Sequence, residues 1–195
     1  MGHGLARIDA DFSLVYPLFA PLMENLVVES VLDGHTRGRV YVDDPAAPRV
    51  ALLWTLLDTV LLAGAPEARL FPALRRLLRA EMWPDARARG VPFFTLTPDR
   101  AAWAAHLPAL LPGAVVEPVP RLAFRLAARR VDWRAALPAG MRLQPLDAAF
   151  LARRALPNMD QVRGWVLSFW EDEAAFARRG LGFAVLDGAA VASWA

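Results

Sequence analysis

The sequence predicts a mixed α/β fold in which short strands and amphipathic helices form a sheet layered with helices. Two nearly continuous apolar runs, 49–55 and 59–63, are typical of strands that are covered on both faces. Residues 70–82 instead place leucines at helical spacing, with arginines on the opposite side. A sheet that is buried on both faces needs such helices as its cover, so the two patterns predict one architecture.

The first half is expected to hold strands between one interrupted helix and two regular ones. Pro17 and Pro21 interrupt the apolar stretch at 12–32, because proline disrupts a helix interior. Thr97-Pro98-Asp99 supplies the hydroxyl, proline and carboxylate that favour a helix start. In chain order the sequence predicts a broken helix at 12–32, strands at 39–42, 49–55 and 59–63, a helix at 70–82, a strand at 91–96, a helix at 97–108 and one or two strands at 115–127.

A junction at Leu137-Pro138-Ala139-Gly140 predicts the start of a second unit. We therefore expect two domains, 1–137 and 138–195. Asp187-Gly188 is a favoured two-residue hairpin turn between the last two strands. In chain order the second unit is expected to hold a strand at 141–145, a helix at 147–155, a loop at 157–160, helices at 162–169 and 171–179, and strands at 182–186 and 189–194.

The composition excludes several classes of protein. A hydrophobic content of 56% and a net charge of only +2 exclude a disordered chain. The absence of cysteine excludes disulfide scaffolds, thiolate metal sites and cysteine nucleophiles. The three histidines are far apart in the sequence, so no metal site is expected. All 22 basic residues are arginines spread along the chain, which makes nucleic-acid binding the weakest of the functions considered.

The sequence gives no sign of targeting to a membrane. The first residues lack an apolar segment, and Asp9 and Asp11 follow shortly. The most apolar stretch, 50–64, is shorter than the roughly 20 residues that a membrane helix needs, and it contains Asp58. We therefore expect a cytoplasmic protein with no membrane partner.

Five short pieces carry a family resemblance that spans most of the chain. They are GRVYVDDP at 38–45, PRVALLW at 48–54, LPAG at 137–140, GLGF at 180–183 and VASW at 191–194. In order and spacing they resemble the GNAT acetyltransferases of the group related to the zwittermicin A resistance protein. The resemblance implies a tandem: a GNAT-like N-terminal half without cofactor chemistry, and then a catalytic GNAT half. It also implies that acetyl-CoA is the cofactor of the full-length family member and that a small-molecule amine is the acceptor.

The second half departs from the family pattern. In a GNAT domain the acetyl-CoA site is built by the fourth strand, the loop after it and the following helix. Only three strands are expected here, so we expect the first strands and helices of a second GNAT domain, cut off before the cofactor motif. The chain alone is then expected to be inactive, to bind no acetyl-CoA and to self-associate through an exposed sheet edge. No catalytic or cofactor-binding residue is assigned.

One local match to the cofactor motif is rejected. Residues 179–184 fit Arg-x-x-Gly-x-Gly/Ala, which resembles the pyrophosphate-binding pattern of GNAT enzymes. That pattern needs a strand before it and a helix after it, so that backbone N–H groups face the phosphates. Here a helix is expected before it and a strand after it.

Four residues are candidates for the acceptor side of such an enzyme. Asn158 and Asp160, in the loop between two helices, are placed to reach an amine substrate. Trp165 and Trp194 are candidates for lining the acceptor cleft, and core packing is the alternative role for both. An alternative for the whole chain is a non-catalytic, degenerate GNAT-like binding module. A further strand followed by the phosphate-binding pattern would favour the enzyme.

Overall fold

The computed structural model of the chain describes residues 4–99, 101–122, 124, 127–128 and 132–195. The chain divides into two units, Met1–Arg121 and Leu122–Ala195. Each unit is built on a sheet of its own. The division after residue 137 that the sequence predicts stays a prediction.

A five-stranded sheet in the order β1-β2-β3-β4-β5 organises the first unit. Its strands are β1 (Ala6–Ile8), β2 (Arg39–Val42), β3 (Val50–Trp54), β4 (Thr59–Gly64) and β5 (Thr95–Pro98). Neighbours are antiparallel except β4 and β5, which are parallel from Thr59 beside Thr95 to Leu62 beside Pro98. Parallel neighbours need a long crossover connection, and a helical segment supplies it here.

The helical segments of the first unit lie on both faces of this sheet. Before β2 lie α1 (Tyr16–Phe19) and α2 (Leu26–Leu32). The crossover between β4 and β5 consists of α3 (Phe71–Arg76), a π-helical stretch (Leu77–Met82) and α4 (Trp83–Ala88), and α5 (Leu107–Leu110) follows β5. Short 3₁₀ turns lie at Phe12–Leu14, Ala20–Leu22, Ala68–Leu70 and Ala101–His106. Leu52 and Leu62 belong to the core cluster on the crossover side, whereas Leu53 and Leu61 pack with Val28 on the other side. The prediction of strands covered on both faces is confirmed.

Two helical predictions in the first unit are confirmed in detail. The stretch 12–32 is broken into four short pieces, and Pro17 and Pro21 each lie in the first turn of one piece. The helix predicted at 70–82 is present and continues to Ala88. Its Arg76 and Arg79 are exposed, whereas Leu74 and Leu78 are buried.

Three predictions at the end of the first unit are wrong for the described residues. The strand expected at 91–96 begins only at Thr95, because its parallel pairing with β4 starts there. Thr97 and Pro98 therefore belong to that strand and do not begin a helix. The strands expected at 115–127 do not form at residues 115–122, 124 or 127. Residues 123, 125 and 126 of that prediction lie outside the described residues.

The second unit is a three-stranded antiparallel sheet in the order β6-β7-β8, with helices between its first two strands. Its elements are α6 (Trp133–Ala136), β6 (Met141–Pro145), α7 (Ala148–Leu151), α8 (Met159–Phe169), α9 (Glu173–Arg179), β7 (Phe183–Asp187) and β8 (Ala190–Trp194). The hairpin is confirmed, but its turn is Gly188-Ala189, one residue later than the predicted Asp187-Gly188; Gly188 adopts φ +56°, which glycine accepts easily. Asp147 begins α7 by accepting a hydrogen bond from the backbone N–H of Phe150 at 2.7 Å.

Several boundaries differ by one to four residues from those predicted for the second unit. The helix after Asp147 ends at Leu151 instead of residue 155. The loop expected at 157–160 ends at Asn158, so Asp160 lies in the first turn of α8. The mixed α/β class itself is confirmed, with three strands and the intervening helices in this unit.

No helix among the described residues is long and apolar enough to span a membrane. Nor do three histidine, cysteine, aspartate or glutamate side chains in the described part of the chain form a group that could hold a metal ion.

Candidate functional site

Asn158 connects the start of α8 to the edge strand β8. Its side-chain Nδ2 donates a hydrogen bond to the carbonyl oxygen of Val191 at 2.8 Å. The carbonyl oxygen of Pro157 accepts the N–H of the same Val191 at 3.1 Å. Asn158 itself adopts φ 69°, a left-handed conformation that asparagine tolerates better than most residues. Pro157 and Asn158 therefore cover the beginning of the β8 edge.

The other end of β8 is open. Phe183 and Ala195 exchange both of their backbone hydrogen bonds, at 2.8 and 3.0 Å. In an antiparallel pair the next residues along are not hydrogen-bonded to each other. Trp194, which lies opposite Ala184, therefore directs its N–H and C=O away from β7. The predicted sheet edge is covered at Val191, and no strand among the described residues pairs with it at Trp194.

Asp160 presents a carboxylate to solvent beside Asn158. Its side chain is 93% exposed, and the nearest cation is Arg163 at 3.6 Å. Arg163 also donates to Glu173 at 2.6 Å, and Arg154 contacts both oxygens of that carboxylate at 2.8 and 2.9 Å. Because Arg154 and Arg163 both pair closely with Glu173, the exposed carboxylate of Asp160 can still attract a cationic amine.

The two tryptophans pack against the core of the second unit. Trp165 and Trp194 are both partly buried, and Trp165 also contacts Phe169 edge to face with ring centroids 6.0 Å apart. Trp165 lies five residues after Asp160 on α8, about 140° around the helix axis. Asn158 thus contacts β8 at Val191, three residues before Trp194, and Asp160 follows Asn158 in the first turn of α8. Trp165 does not lie on the same side of α8 as Asp160. A role for all four residues in acceptor binding stays a prediction.

The glycines of the rejected phosphate-binding pattern have packing roles. A Cβ on Gly180 would lie 2.4 Å from the ring of Phe176. A Cβ on Gly182 would lie 2.9 Å from the side chain of Leu146 and 3.0 Å from the carbonyl oxygen of Ala195. The pattern also follows α9 and enters β7, the reverse of what a phosphate site requires. Glycine is therefore needed at both positions because neighbouring atoms of Phe176, Leu146 and Ala195 leave no room for a Cβ.

In the first unit, the C-terminal ends of the parallel strands β4 and β5 are joined by side chains. The backbone N–H of Gly64 donates to Oδ2 of Asp99 at 3.0 Å. The buried indole N–H of Trp103 donates to the carbonyl oxygen of Gly64 at 2.9 Å. Sequence reasoning missed this arrangement because it assigned Asp99 to a helix start. The available signal was that the ends of parallel strands lie at one edge of a sheet.

The end of β4 in the first unit does not fit acetyl-CoA. Both backbone groups of Gly64, at the end of the fourth strand, are occupied within the protein. The loop that follows offers Pro66, which has no N–H, and Glu67, whose charge repels a phosphate. The second unit has only three strands among its described residues. The described part of the first unit therefore has a fourth strand, a loop and a helix whose backbone does not suit the cofactor, and that of the second unit has no fourth strand.

Asp43 follows β2 directly and has a structural role in the loop between β2 and β3. It accepts hydrogen bonds from the backbone N–H groups of Arg49 at 2.9 Å and Val50 at 3.0 Å. Burial raises the pKa of this carboxyl, but the backbone hydrogen bonds and the nearby Arg49 charge outweigh burial and leave the pKa below its usual value.

Comparison with known proteins agrees with the fold. The family model described as GNAT acetyltransferase matches residues 16–195. The crystal structure of a GCN5-related N-acetyltransferase-like protein from Streptococcus suis is similar, with a TM-score of 0.64 and 22% sequence identity. The similarity covers 94% of this chain and 68% of that one. No curated protein matches the chain.

Proposed function

The chain belongs to the GNAT acetyltransferase family, and we propose that it serves the transfer of an acetyl group from acetyl-CoA to a small-molecule amine. Within the family we assign it to the group related to the zwittermicin A resistance protein, on the five sequence pieces given above. We further propose that residues 138–195 provide the acceptor side of the reaction. A cytoplasmic location stays a prediction.

The observation that carries this proposal is the set of three side chains on or beside the edge strand β8, those of Asp160, Asn158 and Trp194. Asp160 offers an exposed carboxylate that attracts a protonated amine. Asn158 uses its amide nitrogen on Val191, so its carbonyl oxygen is left to accept a hydrogen bond from an amine N–H. Trp194 adds an aromatic surface on the same strand. These are the groups that recognise a small cationic molecule with an apolar part.

Acetyl-CoA is expected to need more than these residues. Two observations support this view. Both backbone groups of Gly64, at the end of β4, are hydrogen-bonded within the first unit, and the sheet of the second unit has three strands among its described residues. We therefore propose that residues 1–195 alone bind no acetyl-CoA and catalyse no transfer.

Calorimetric titration with a panel of primary amines, and with the matched alcohols as neutral controls, tests the acceptor side. We expect saturable binding of an amine and none of its alcohol. Asp160→Asn should weaken amine binding about tenfold, because a charged partner becomes neutral. Glu171→Gln is the matched control, since Glu171 is also an exposed acid of this unit. Equal effects of the two substitutions, or no amine binding, would contradict the proposal.

Catalysis by the chain alone is tested by following thiol release from acetyl-CoA with a thiol reagent. The chain has no cysteine, so it contributes no background to this assay. We expect no release above the uncatalysed rate with any amine that binds. Release that depends on the protein would contradict the proposal that residues 1–195 are inactive by themselves.

We also propose that the chain self-associates through β8, because the unpaired backbone groups of Trp194 are a template for a second strand. Sedimentation velocity should detect a dimer or larger species. Ala192→Lys places a charge on the exposed edge and should shift the protein toward monomer, whereas Ala189→Lys in the exposed turn should not. A stable, monodisperse monomer of the unmodified chain would overturn this proposal.

The alternative function, a non-catalytic GNAT-like binding module, has one specific observation in its favour. The hydrogen bonds from Asp99 and Trp103 to Gly64 close the first unit at the position where a GNAT domain would hold its cofactor. Full-length protein that binds an amine but never releases thiol from acetyl-CoA would favour this alternative.

A further inference from the structure

A cleft of about 310 Å³ lies between the β1–β2 end of the first sheet and the crossover helix. Arg7 on β1 lies directly opposite Tyr41 on β2, and Arg39 lies two residues before Tyr41 on the same strand. Residues two apart on a strand point to the same face, so these three side chains share the face that the crossover covers. Arg76, the last residue of α3, lines the opposite wall.

The charge of the cleft is positive. Arg7, Arg39 and Arg76 line it, and Glu81 is the one acidic residue among its described lining residues. Arg7 is paired with Asp9 at 2.5 Å. Among the described residues, Arg39 and Arg76 form no ion pair or hydrogen bond with another side chain. An anion entering the cleft would therefore meet two guanidinium groups that are not neutralised by the protein.

Arg39 is held in a defined orientation. Its guanidinium group stacks on the ring of Trp54, its neighbour across the β2–β3 pair, at 5.3 Å from the ring centroid. This stacking satisfies the face of the guanidinium group and leaves its N–H edge available. A guanidinium edge matches the two oxygens of a carboxylate or phosphate group.

The rest of the lining is apolar or weakly polar. Leu5, Ala73 and Leu77 line the cleft beside the arginines. Tyr41 is only 6% exposed, and its hydroxyl group forms no hydrogen bond with another described residue. Such a mixture holds the hydrocarbon part of a ligand as well as its charged group.

We propose that this cleft binds a small organic anion, whose carboxylate or phosphate group is held by Arg39 and Arg76 and whose apolar part contacts Leu5 and Leu77. The site lies wholly in the first unit and does not depend on the proposed acetyl transfer. It gives this unit, whose β4 end is closed, a binding role of its own.

Calorimetric titration with benzoate, phenyl phosphate and benzyl alcohol tests the proposal. The three probes share a phenyl ring and differ in charge. We expect saturable binding of at least one anion with a Kd of about 1 mM or tighter, and none of benzyl alcohol. Stronger binding of phenyl phosphate would identify the ligand group as phosphate, and stronger binding of benzoate would identify it as carboxylate. The affinity should fall as salt is added, because salt screens the charges.

Substitutions assign the binding to the cleft. Arg39→Ala and Arg76→Ala should each weaken anion binding about tenfold, since each removes a charge-assisted hydrogen bond. Arg37→Ala is the matched control, because Arg37 is an exposed arginine two residues from Arg39 that does not line the cleft. Arg39→Lys keeps the charge without the planar edge and should also weaken binding, which covers the case in which Arg39→Ala fails to fold. The proposal is overturned if neither anion binds, if benzyl alcohol binds equally well, or if Arg37→Ala has the same effect as Arg76→Ala.

Discussion

The indole N–H of Trp103 donates a hydrogen bond to the carbonyl oxygen of Gly64, across 39 residues of sequence. Trp103 is fully buried, and the same glycine donates its N–H to Asp99. At the end of β4, both the backbone N–H and the backbone C=O of Gly64 are therefore hydrogen-bonded. The two backbone groups that Gly64 offers at this end of the sheet are therefore already used within the protein.

Gly64 is expected to tolerate no side chain. A Cβ at this position would lie 1.9 Å from the carbonyl oxygen of Arg49, and φ is +89°. Gly90 is the matched control, because its φ of +80° is similar and nothing lies within 4 Å of its Cβ. Both alanine substitutions should lower the free energy of unfolding by about 1–2 kcal/mol, because alanine is strained in a left-handed conformation. Gly64→Ala should cost about 1–3 kcal/mol more, from the clash, in denaturant unfolding. Equal losses would show that the close approach to Arg49 is not rigid.

Asp43 should make the stability of the first unit depend on acidic pH. The folded-state pKa of this carboxyl lies below its unfolded value. Its stabilising contribution is therefore fully present above the unfolded pKa, near 4, and is lost as the pH falls through the folded pKa. Asp43→Asn keeps an oxygen that can accept from the N–H groups of Arg49 and Val50, but it cannot titrate.

Thermal unfolding between pH 7 and pH 2.5 measures this contribution. The unmodified chain should be more stable than Asp43→Asn at neutral pH by about 1 kcal/mol, the difference between a charged and a neutral acceptor. The gap should close as the pH falls below about 4. A gap that stays constant across this pH range would contradict the assignment.

Asn158 should contribute to stability in two separable ways. Asn158→Gly keeps the left-handed backbone at φ 69° but removes the hydrogen bond to Val191, and it should cost about 1 kcal/mol. Asn158→Ala removes the same bond and also strains the backbone, so it should cost about 1 kcal/mol more than the glycine variant. Denaturant unfolding of both variants separates the contribution of the hydrogen bond from that of the backbone strain. If alanine were no worse than glycine, the left-handed conformation would carry no cost.

Glu173 is expected to hold the helices of the second unit through two arginines. Its side chain is 19% exposed and contacts Arg154 and Arg163. Glu173→Gln should destabilise the unit by about 1 kcal/mol, since it removes the closest charged partner of both guanidinium groups. Asp160→Asn, at a side chain that is 93% exposed, should change stability by less than about 0.5 kcal/mol. The effect of Glu173→Gln should shrink in high salt, and an effect no larger than that of Asp160→Asn would contradict the network.

Local patterns predicted those parts of the fold that local interactions determine. The β3–β4 hairpin, the helix with Leu74 and Leu78 and the turn at Gly188 all follow from residues close in sequence. The start of β5 was misplaced because its position depends on parallel pairing with β4, some 36 residues earlier in the chain. The sequence pattern alone cannot fix that register.

The candidate site was predicted only in part, for the same reason. Asn158 and Asp160 were selected from a loop between helices, and the structure places them at the start of α8. The contact of Asn158 with Val191 spans 33 residues, and no pattern near Asn158 indicates it. The arginine cleft was not predicted either, because Arg39 and Arg76 come together only when the crossover helix packs on the sheet.

Calorimetric titration of residues 1–195 with acetyl-CoA tests the central claim most directly. We propose that these residues supply the acceptor side of a GNAT enzyme and no cofactor site of their own. This proposal predicts no saturable heat at acetyl-CoA concentrations up to about 1 mM, where even weak sites would be detected. Binding with micromolar affinity would contradict it.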